Sequence, residues 1–482
     1  MNYKAACIVM ISSLPLAGIA QGFQDSIPNG RQFPNPAGAS STYSTTGKID
    51  LTGPFFQSMG SNGRSCSTCH QPSDGMSVSA EHIEERFLTS GGMDPIFRTV
   101  DGSICNHDID VSTVKGRRAA YKLLRTRGLF RIAIAVPPNA DYEIVRVENP
   151  YSCNETDTIS QYRRPLPSTN LRFLSAVMVD GRESSPLTGT TKISPQNYPN
   201  SLVSDLKHQS VDATTGHAQG DGKRPTPAEQ QQIVDFEMAL FTAQTYGWAT
   251  GSLEAHGATG GPAALMTQPF YIGVNSQIPQ FENPASAPFN PAIFNTFDAF
   301  DNLPQRDPRA AIARGQALFN STPINIRGVA GLNDDQAAGG LVPGGIPVIA
   351  GFCGTCHDTP NVGNHSFPTP LNIGTGDPNP GDPTVNLGGL DVTYLPRITV
   401  RSKITGETKT TTDLGLALID GKFDHVGKIK GPVLRGLSAR APYFHNGSAK
   451  TLLDVVRFYE VRFGVFFSPQ EEEDLVAFLS SL

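Results

Sequence analysis

The chain has 482 residues, 38% of them hydrophobic, with 38 basic and 44 acidic side chains and a net charge of −6. That length suffices for two or three packed domains. The mild acidity and the lack of a basic run exclude nucleic acid as a partner, and past the N-terminus no stretch is long and apolar enough to span a membrane.

Taken in chain order, the first signal is a leader. Lys4 precedes the apolar run from Ala5 to Leu16, and Gly18-Ile19-Ala20 supplies small residues for cleavage. Residues 1–20 therefore read as a secretory signal, too short to cross a bilayer. Residues 21–47 are rich in Ser, Pro, Asn and Gly and are expected to be irregular. Ser112 is expected to open a helix beside Arg117, Arg118, Arg125 and Arg127, a cationic face able to dock an acidic electron donor. The runs 129–136 and 142–147 alternate as the strands of a β-hairpin joined by Pro-Pro-Asn-Ala-Asp.

Three helix starts follow. Thr226-Pro227-Ala228-Glu229 combines an N-cap, a Pro at the first helical position and a capping-box Glu. Ile233, Phe236, Leu240 and Phe241 mark its apolar face. Asp307-Pro308 opens a helix through Ile312, Gly315, Leu318 and Phe319, and Ser468-Pro469-Gln470-Glu471 opens the last one. The segment 251–307, rich in Gly, Pro, Ala and Asn, reads as a connection between an N-terminal domain (21–250) and a C-terminal domain (308–482).

Each domain holds one copy of a five-residue motif: Cys66-Ser67-Thr68-Cys69-His70 and Cys353-Gly354-Thr355-Cys356-His357. C-x-x-C-H is the attachment signature of a c-type haem. Two thiols add across the vinyl groups, and the adjacent His reaches the iron as axial ligand. A zinc site would need a further Cys or His pair, and a redox dithiol has no use for the trailing His. Two covalent haems are therefore expected, and their attachment outside the inner membrane points to the periplasm or exterior of a Gram-negative bacterium. Once Cys7 leaves with the leader, Cys105 and Cys153 remain as a disulfide pair for an oxidising compartment. The expected fold is mainly α: two cytochrome c-like haem domains with long loops and a small β-hairpin insertion.

The block Lys430-Gly-Pro-Val-Leu-Arg435-Gly-Leu-Ser-Ala-Arg-Ala-Pro442-Tyr443-Phe444-His445-Asn446-Gly447-Ser448, followed by Thr451-Leu452, resembles the bacterial di-haem cytochrome c peroxidase and MauG-type family. So does the capped acidic helix that ends the chain. Val179-Asp180-Gly181-Arg182 is similar to the family's Trp-Asp-Gly-Arg segment, and Gln209 and His217 fall where the family places its peroxide-side Gln and acidic residue. The resemblance implies that the His70 haem reacts with hydrogen peroxide or oxygen. The His357 haem then relays electrons from a small periplasmic cytochrome c or cupredoxin, and a calcium ion can sit between the domains. Three positions depart from the pattern. The motifs stand 287 positions apart, from Cys66 to Cys353; Val179 occupies the place of the family's Trp; and the Met ligand of the second haem aligns near Ala439, with no Met after Met266. MauG-like and rubber-oxygenase-like oxidases also depart from the His/Met pattern. An oxidase of that kind, or a purely electron-transferring di-haem cytochrome, stays open beside the peroxidase.

Sixth-ligand candidates for the second haem are His425, His445, Tyr443 and His365, with His425 favoured as a bis-His ligand. For the first haem His217 is the preferred distal residue, as ligand or as acid–base group. Its surroundings, Asp212 to Gln219, read as a turn-like loop. Met59 and Met76 are expected as pocket walls. Arg182 and Arg435 are candidate partners for haem propionates, because Arg offers a carboxylate a bidentate fork.

Overall fold

The computed structural model describes residues 25–105, 109–153, 158–184, 200–220, 222–278, 285–334, 344–378 and 390–482. The leader expected at 1–20 lies outside them. The described chain is mixed α/β, with 31% helix, 17% strand and five small antiparallel sheets, which corrects the mainly-α expectation.

The first departure is the segment expected to be irregular. It forms strands Ser26–Pro28, Gln32–Asn35 and Gly38–Ser44, and the last pairs antiparallel with Leu240–Gly247. Its Ser and Thr residues hid this by composition, because Ser40, Ser41, Thr42 and Ser44 are all buried in the strand. Thr42 Oγ1 lies 2.8 Å from Thr242 Oγ1, which is 2.9 Å from Thr169 Oγ1. Leu240 and Phe241 therefore begin a strand instead of ending a helical face. The capped helix stops at Met238. Leu240 packs with Met76 and Ile233 on one side of this sheet, while Phe241 packs with Phe173 and Val433 on the other.

The second departure is the hairpin. Both strands form, but neither pairs with the other: Phe130–Ile134 pairs with Ile159–Arg163, and Tyr142–Glu148 pairs with Arg397–Ser402. The two prolines of the connection suit no tight two-residue turn. Asp141 is drawn elsewhere, its carboxylate accepting the Phe423 N–H at 2.6 Å and its own N–H donating to Gly421 O at 2.8 Å. A β unit is thereby built from strands that are remote in sequence.

The helix starts follow their capping chemistry. Thr226 and Ser468 each complete a capping box, and Asp307 accepts from Arg309 N. The Arg-bearing helix Val114–Ala120 is capped by Thr113, one residue after Ser112. Cys105 and Cys153 form a disulfide with Cα atoms 5.4 Å apart. Segment 251–307 supplies Leu253, Ile293, Phe294, Phe297 and Phe300 to a core completed by Phe319 and Phe478.

In that core helix Pro308–Ser321 crosses Pro469–Ser480 at Gly315. A Cβ on Gly315 would stand 1.9 Å from Asp474 O. Gly315→Ala is therefore expected to push the helices apart and destabilise the protein by roughly 1–3 kcal/mol. A urea midpoint equal to that of the parent would contradict this close crossing.

Candidate functional site

Both motifs build the same small structure. Cys66–Thr68 is a single 3-10 turn and Cys353–Cys356 a single α-turn. In each, the Thr hydroxyl accepts the backbone N–H of the residue before the first Cys: Ser65 N to Thr68 Oγ1 and Phe352 N to Thr355 Oγ1, both 3.0 Å. In each, the His Nδ1 is bonded to a carbonyl six residues on: His70 to Met76 O at 3.1 Å and His357 to Gly363 O at 2.7 Å. Met76 and Gly363 both have positive φ, 59° and 75°. A Phe ring stands beside each imidazole, Phe55 at 6.2 Å from His70 and Phe319 at 6.0 Å from His357, centroid to centroid. An Nδ1–H donor leaves Nε2 as the ligating nitrogen, which is how metal-binding histidines are oriented. Burial pushes the His70 pKa down to about 4 and lowers that of His357, so both rings are neutral. Burial also raises the Cys66 thiol to about 12 and Cys69 to about 11, far from the acidic thiols of exchange-reactive cysteines.

Cys66, Cys69 and His70 line one cavity, with Met59, Leu171, Leu174 and Val433 among its apolar walls. Helix Asn200–Gly216 presents Leu206, Gln209, Ser210, Ala213 and Thr214 to the same space at helical spacing, with His217 just past its end. The expected loop around Asp212 is thus the last turn of a helix. His217 Nδ1 lies 2.6 Å from Asp101 Oδ2, and Arg64 Nη1 is 2.7 Å from both Asp101 oxygens and 3.1 Å from His217 O. Burial works to raise the Asp101 pKa, but Arg64 and His217 outweigh it and hold the carboxyl below its ordinary value. An ionised Asp101 makes His217 Nδ1 the donor and leaves its Nε2 bare. Arg64 stands two residues before Cys66, so one buried guanidinium ties the motif to the histidine across the cavity.

The cavity also gathers Arg163, Arg164, Arg182, Lys430 and Arg440. Arg163 is bonded to Asp413 at 2.7 and 2.8 Å and to Asp180 at 2.5 Å, and Arg182 reaches Asp180 at 2.9 Å. Among the described residues the other three form no ion pair with a carboxylate, although Asp74 lies near enough to Arg164 for its charge to act on it. Arg164 and Arg440 spend their N–H groups on backbone carbonyls, and Arg440 Nε has no partner. The Lys430 backbone N–H bonds Val179 O at 2.7 Å, while burial alone depresses its ammonium to about 8. Arg164 and Arg440 are depressed to about 10, in both cases chiefly by burial. Three desolvated cations facing an apolar space are the signature of an anion receptor.

Around the second motif, Cys353 and Cys356 pack against Ile326, Val329 and Phe367. His365 is stacked on Phe367 with its ring 6.1 Å from that of His357, and burial, His357 and Lys430 together press its pKa to about 3. Lys430 therefore stands between the two motifs. Arg435 donates to the carbonyls of Asn361 and Gly260, and its Nε has no partner. Tyr443 packs on the C-terminal aromatic core. His425 is held at 2.5 Å by Asp420 in the turn Phe423–His425, which packs on strand Arg397–Ser402 of the β unit. His445 is buried with its Nε2 3.6 Å from Asp413, and neither ring nitrogen makes a hydrogen bond. It belongs to the Arg163 ion network.

Trp248 is 61% exposed, donates to Asn35 O and is not among the residues lining the cavity, whereas Val179 lines it. The expected cationic docking face is already engaged. Arg118 and Arg125 pair with Glu84, Arg117 bonds the carbonyls of Gly91 and Val111, and Arg127 pairs with Asp391 over the Tyr394 ring. Among the described residues the one set of three His, Cys or carboxylate ligand atoms within 4.8 Å is Glu183, His208 and Asp212, so neither motif has the partners of a zinc site.

Asp101, Arg64, Lys430, Arg440 and Tyr459 are the residues that sequence reasoning missed. Tyr459 is half-buried and close enough to Cys353 and Cys356 for their charges to act on it, and desolvation is the main cause of its raised pKa. Its spacing eight residues after Thr451, on a capped helix, was the one available signal.

No protein-family model matches the chain, and no curated protein matches it significantly.

Proposed function

We propose that this chain is an exported di-haem c-type cytochrome with peroxidase-like oxidoreductase activity. The observation that carries this reading is the repeated construction of the two C-x-x-C-H turns, each holding a His by Nδ1 beside two half-buried, unbridged thiols. Haem fits what surrounds them. Cys66 and Cys69 would hold one ring and His70 its iron; Cys353, Cys356 and His357 would hold the other. Arg164, Arg440 and Lys430, which form no ion pair with a carboxylate among the described residues, would receive propionates at the first site, and Arg435 at the second. The disulfide suits an oxidising compartment.

Bound haem supplies one-electron redox chemistry at iron, and the protein supplies ligation, access and protons. His217, which lines the same cavity as His70, would accept a proton from hydrogen peroxide at Nε2 and return it to the departing oxygen. Asp101 keeps that nitrogen free and stabilises the charge the ring gains. Gln209, on the same wall, offers amide hydrogen bonds that orient the peroxide. Electrons from a small donor protein would enter at the His357 site, with Lys430 and His365 between the two centres. The same bare Nε2 of His217 also suits a sixth iron ligand, and that arrangement would make the protein an electron carrier.

The haem content tests this reading. Periplasmic expression with cytochrome c maturation is expected to yield two covalent haems per chain by pyridine haemochrome assay, and one in a Cys66→Ser, Cys69→Ser variant. One haem in the parent chain, or none, would reject it.

A further inference from the structure

Helix Pro227–Met238 sends Ile233 into the wall of the His70 cavity, and one turn later, on the same face, Glu237. Every other feature of this position disfavours a carboxylate. Glu237 is 5% exposed, its Oε2 has no hydrogen-bond partner, and it sits in the last turn of a helix, where the dipole repels negative charge. Ser168 is its one hydrogen-bonding side chain. Ser168 N donates to Met76 O at 2.8 Å, the carbonyl that also holds His70 Nδ1 at 3.1 Å. Glu237 also lies close enough to Cys66 for its charge to act on that thiol. The carboxyl is therefore three hydrogen bonds from the His70 ring and near the attachment sulfur, with no cation paired to it among the described residues.

The charged groups near this helix do not compensate it. The helix packs on Asn200–Gly216 and on the turns Pro54–Phe56 and Leu171–Phe173. His208 on the first is taken up by Glu183, and Arg172 on the last donates to Met266 O. Neither these groups, nor Lys207 and Asp212, nor the cavity cations Arg164, Lys430 and Arg440 shift the carboxyl; burial alone raises it, to about 7, against the Ser168 hydrogen bond.

We propose that Glu237 is a redox-coupled proton acceptor that neutralises, with one proton from solvent, each electron taken up at the His70 site. The proposal rests on haem being bound there. On reduction by the donor protein the electron stays on the bound group, an O–H bond forms on the Glu237 carboxylate, and the net charge of the cavity is unchanged. On oxidation the proton leaves. Met76 O and Ser168 make the carboxyl sense the His70 side, while the apolar wall makes its charge costly.

The test is a spectroelectrochemical titration of the holoprotein from pH 5 to 9, with soluble mediators as reductant. In the parent protein the midpoint of the His70 haem is expected to fall as pH rises through the neutral range. At its steepest the fall is tenfold in the redox equilibrium per pH unit, equivalent to about 59 mV for one electron. In Glu237→Gln, which keeps the shape and removes no partner, the midpoint is expected to be flat over that range, with the His357 haem unchanged. Ser168→Ala is expected to keep the slope and move it to higher pH. A protonated-carboxyl band in the redox-difference infrared spectrum is expected in the parent and absent from Glu237→Gln. A flat parent profile, or a slope that survives Glu237→Gln, overturns the proposal while leaving the haem reading intact. A chain with no haem at Cys66 and Cys69, seen by haemochrome assay, overturns both.

Discussion

Asp101→Asn is expected to lower peroxide turnover roughly 100- to 10,000-fold, the span attributed to a well-placed general acid–base group, while both haems stay attached. An amide beside His217 Nδ1 can offer an N–H where the carboxylate offered an acceptor, and the ring then loses both its fixed tautomer and its counter-charge. Arg64 is buried and 2.7 Å from the same carboxylate, so the substitution also strands a cation. Removing one partner of such a pair costs about 3–5 kcal/mol. His217→Gln separates the two effects: it is expected to lose the same turnover with the Arg64–Asp101 pair intact and little change in stability. Retention of more than a tenth of parent turnover in both variants would remove His217 and Asp101 from the mechanism.

The second large effect is expected at Arg163. Its guanidinium is buried between Asp180 and Asp413, which lie 233 positions apart. Arg163→Met is expected to destabilise the protein by about 3–5 kcal/mol, since it removes the guanidinium bonded to the buried Asp413 and leaves the buried Asp180 with Arg182 alone. The stability should also depend on acid in a defined window. Burial opposes ionisation of Asp180, but Arg163 and Arg182 prevail and bring its pKa to about 2, below the value of 3.8 it would have unfolded. A depressed carboxylate contributes its stability above the unfolded pKa and loses it as pH falls toward the folded one. The parent is thus expected to lose about 2 kcal/mol from this group between roughly pH 4 and pH 2. Chemical denaturation across that range measures it; equal midpoints for parent and Arg163→Met at pH 7 would contradict the network's role.

What could be read from the sequence follows the range of each interaction. Motifs and caps are local: Cys66 to His70, Thr226 to Glu229 and Ser468 to Glu471 carry their own geometry, and the structure folds all of them as turns or helix starts. The Cys105–Cys153 pairing was legible because the motifs account for the other exported cysteines. The sheets were not, because their pairings are remote. Gly38–Ser44 finds Leu240–Gly247, and Tyr142–Glu148 finds Arg397–Ser402, through burial on both faces and the pull of Asp141 toward Phe423. Half-legible residues were those with a local cue and a distant partner. His217 stood out as a histidine, but Asp101, 116 positions upstream, carried no mark of its own. Glu237 carries no mark in the sequence that sets it apart from a solvent-facing helix charge, and only the packing of its helix buries it. His425 illustrates the reverse, since the sequence favours it as a haem ligand and its ring is held by Asp420.

The most direct test of the central claim, a reactive haem on His70 and a relay haem on His357, is the EPR and optical spectrum of the ferric holoprotein. The spectrum would be recorded again after one-electron reduction and then after hydrogen peroxide. The account predicts two haems per chain, one of them carrying a high-spin signal, present at once or after reduction, that peroxide alters immediately. Two low-spin haems unchanged by peroxide in both redox states would contradict it and leave the protein an electron carrier.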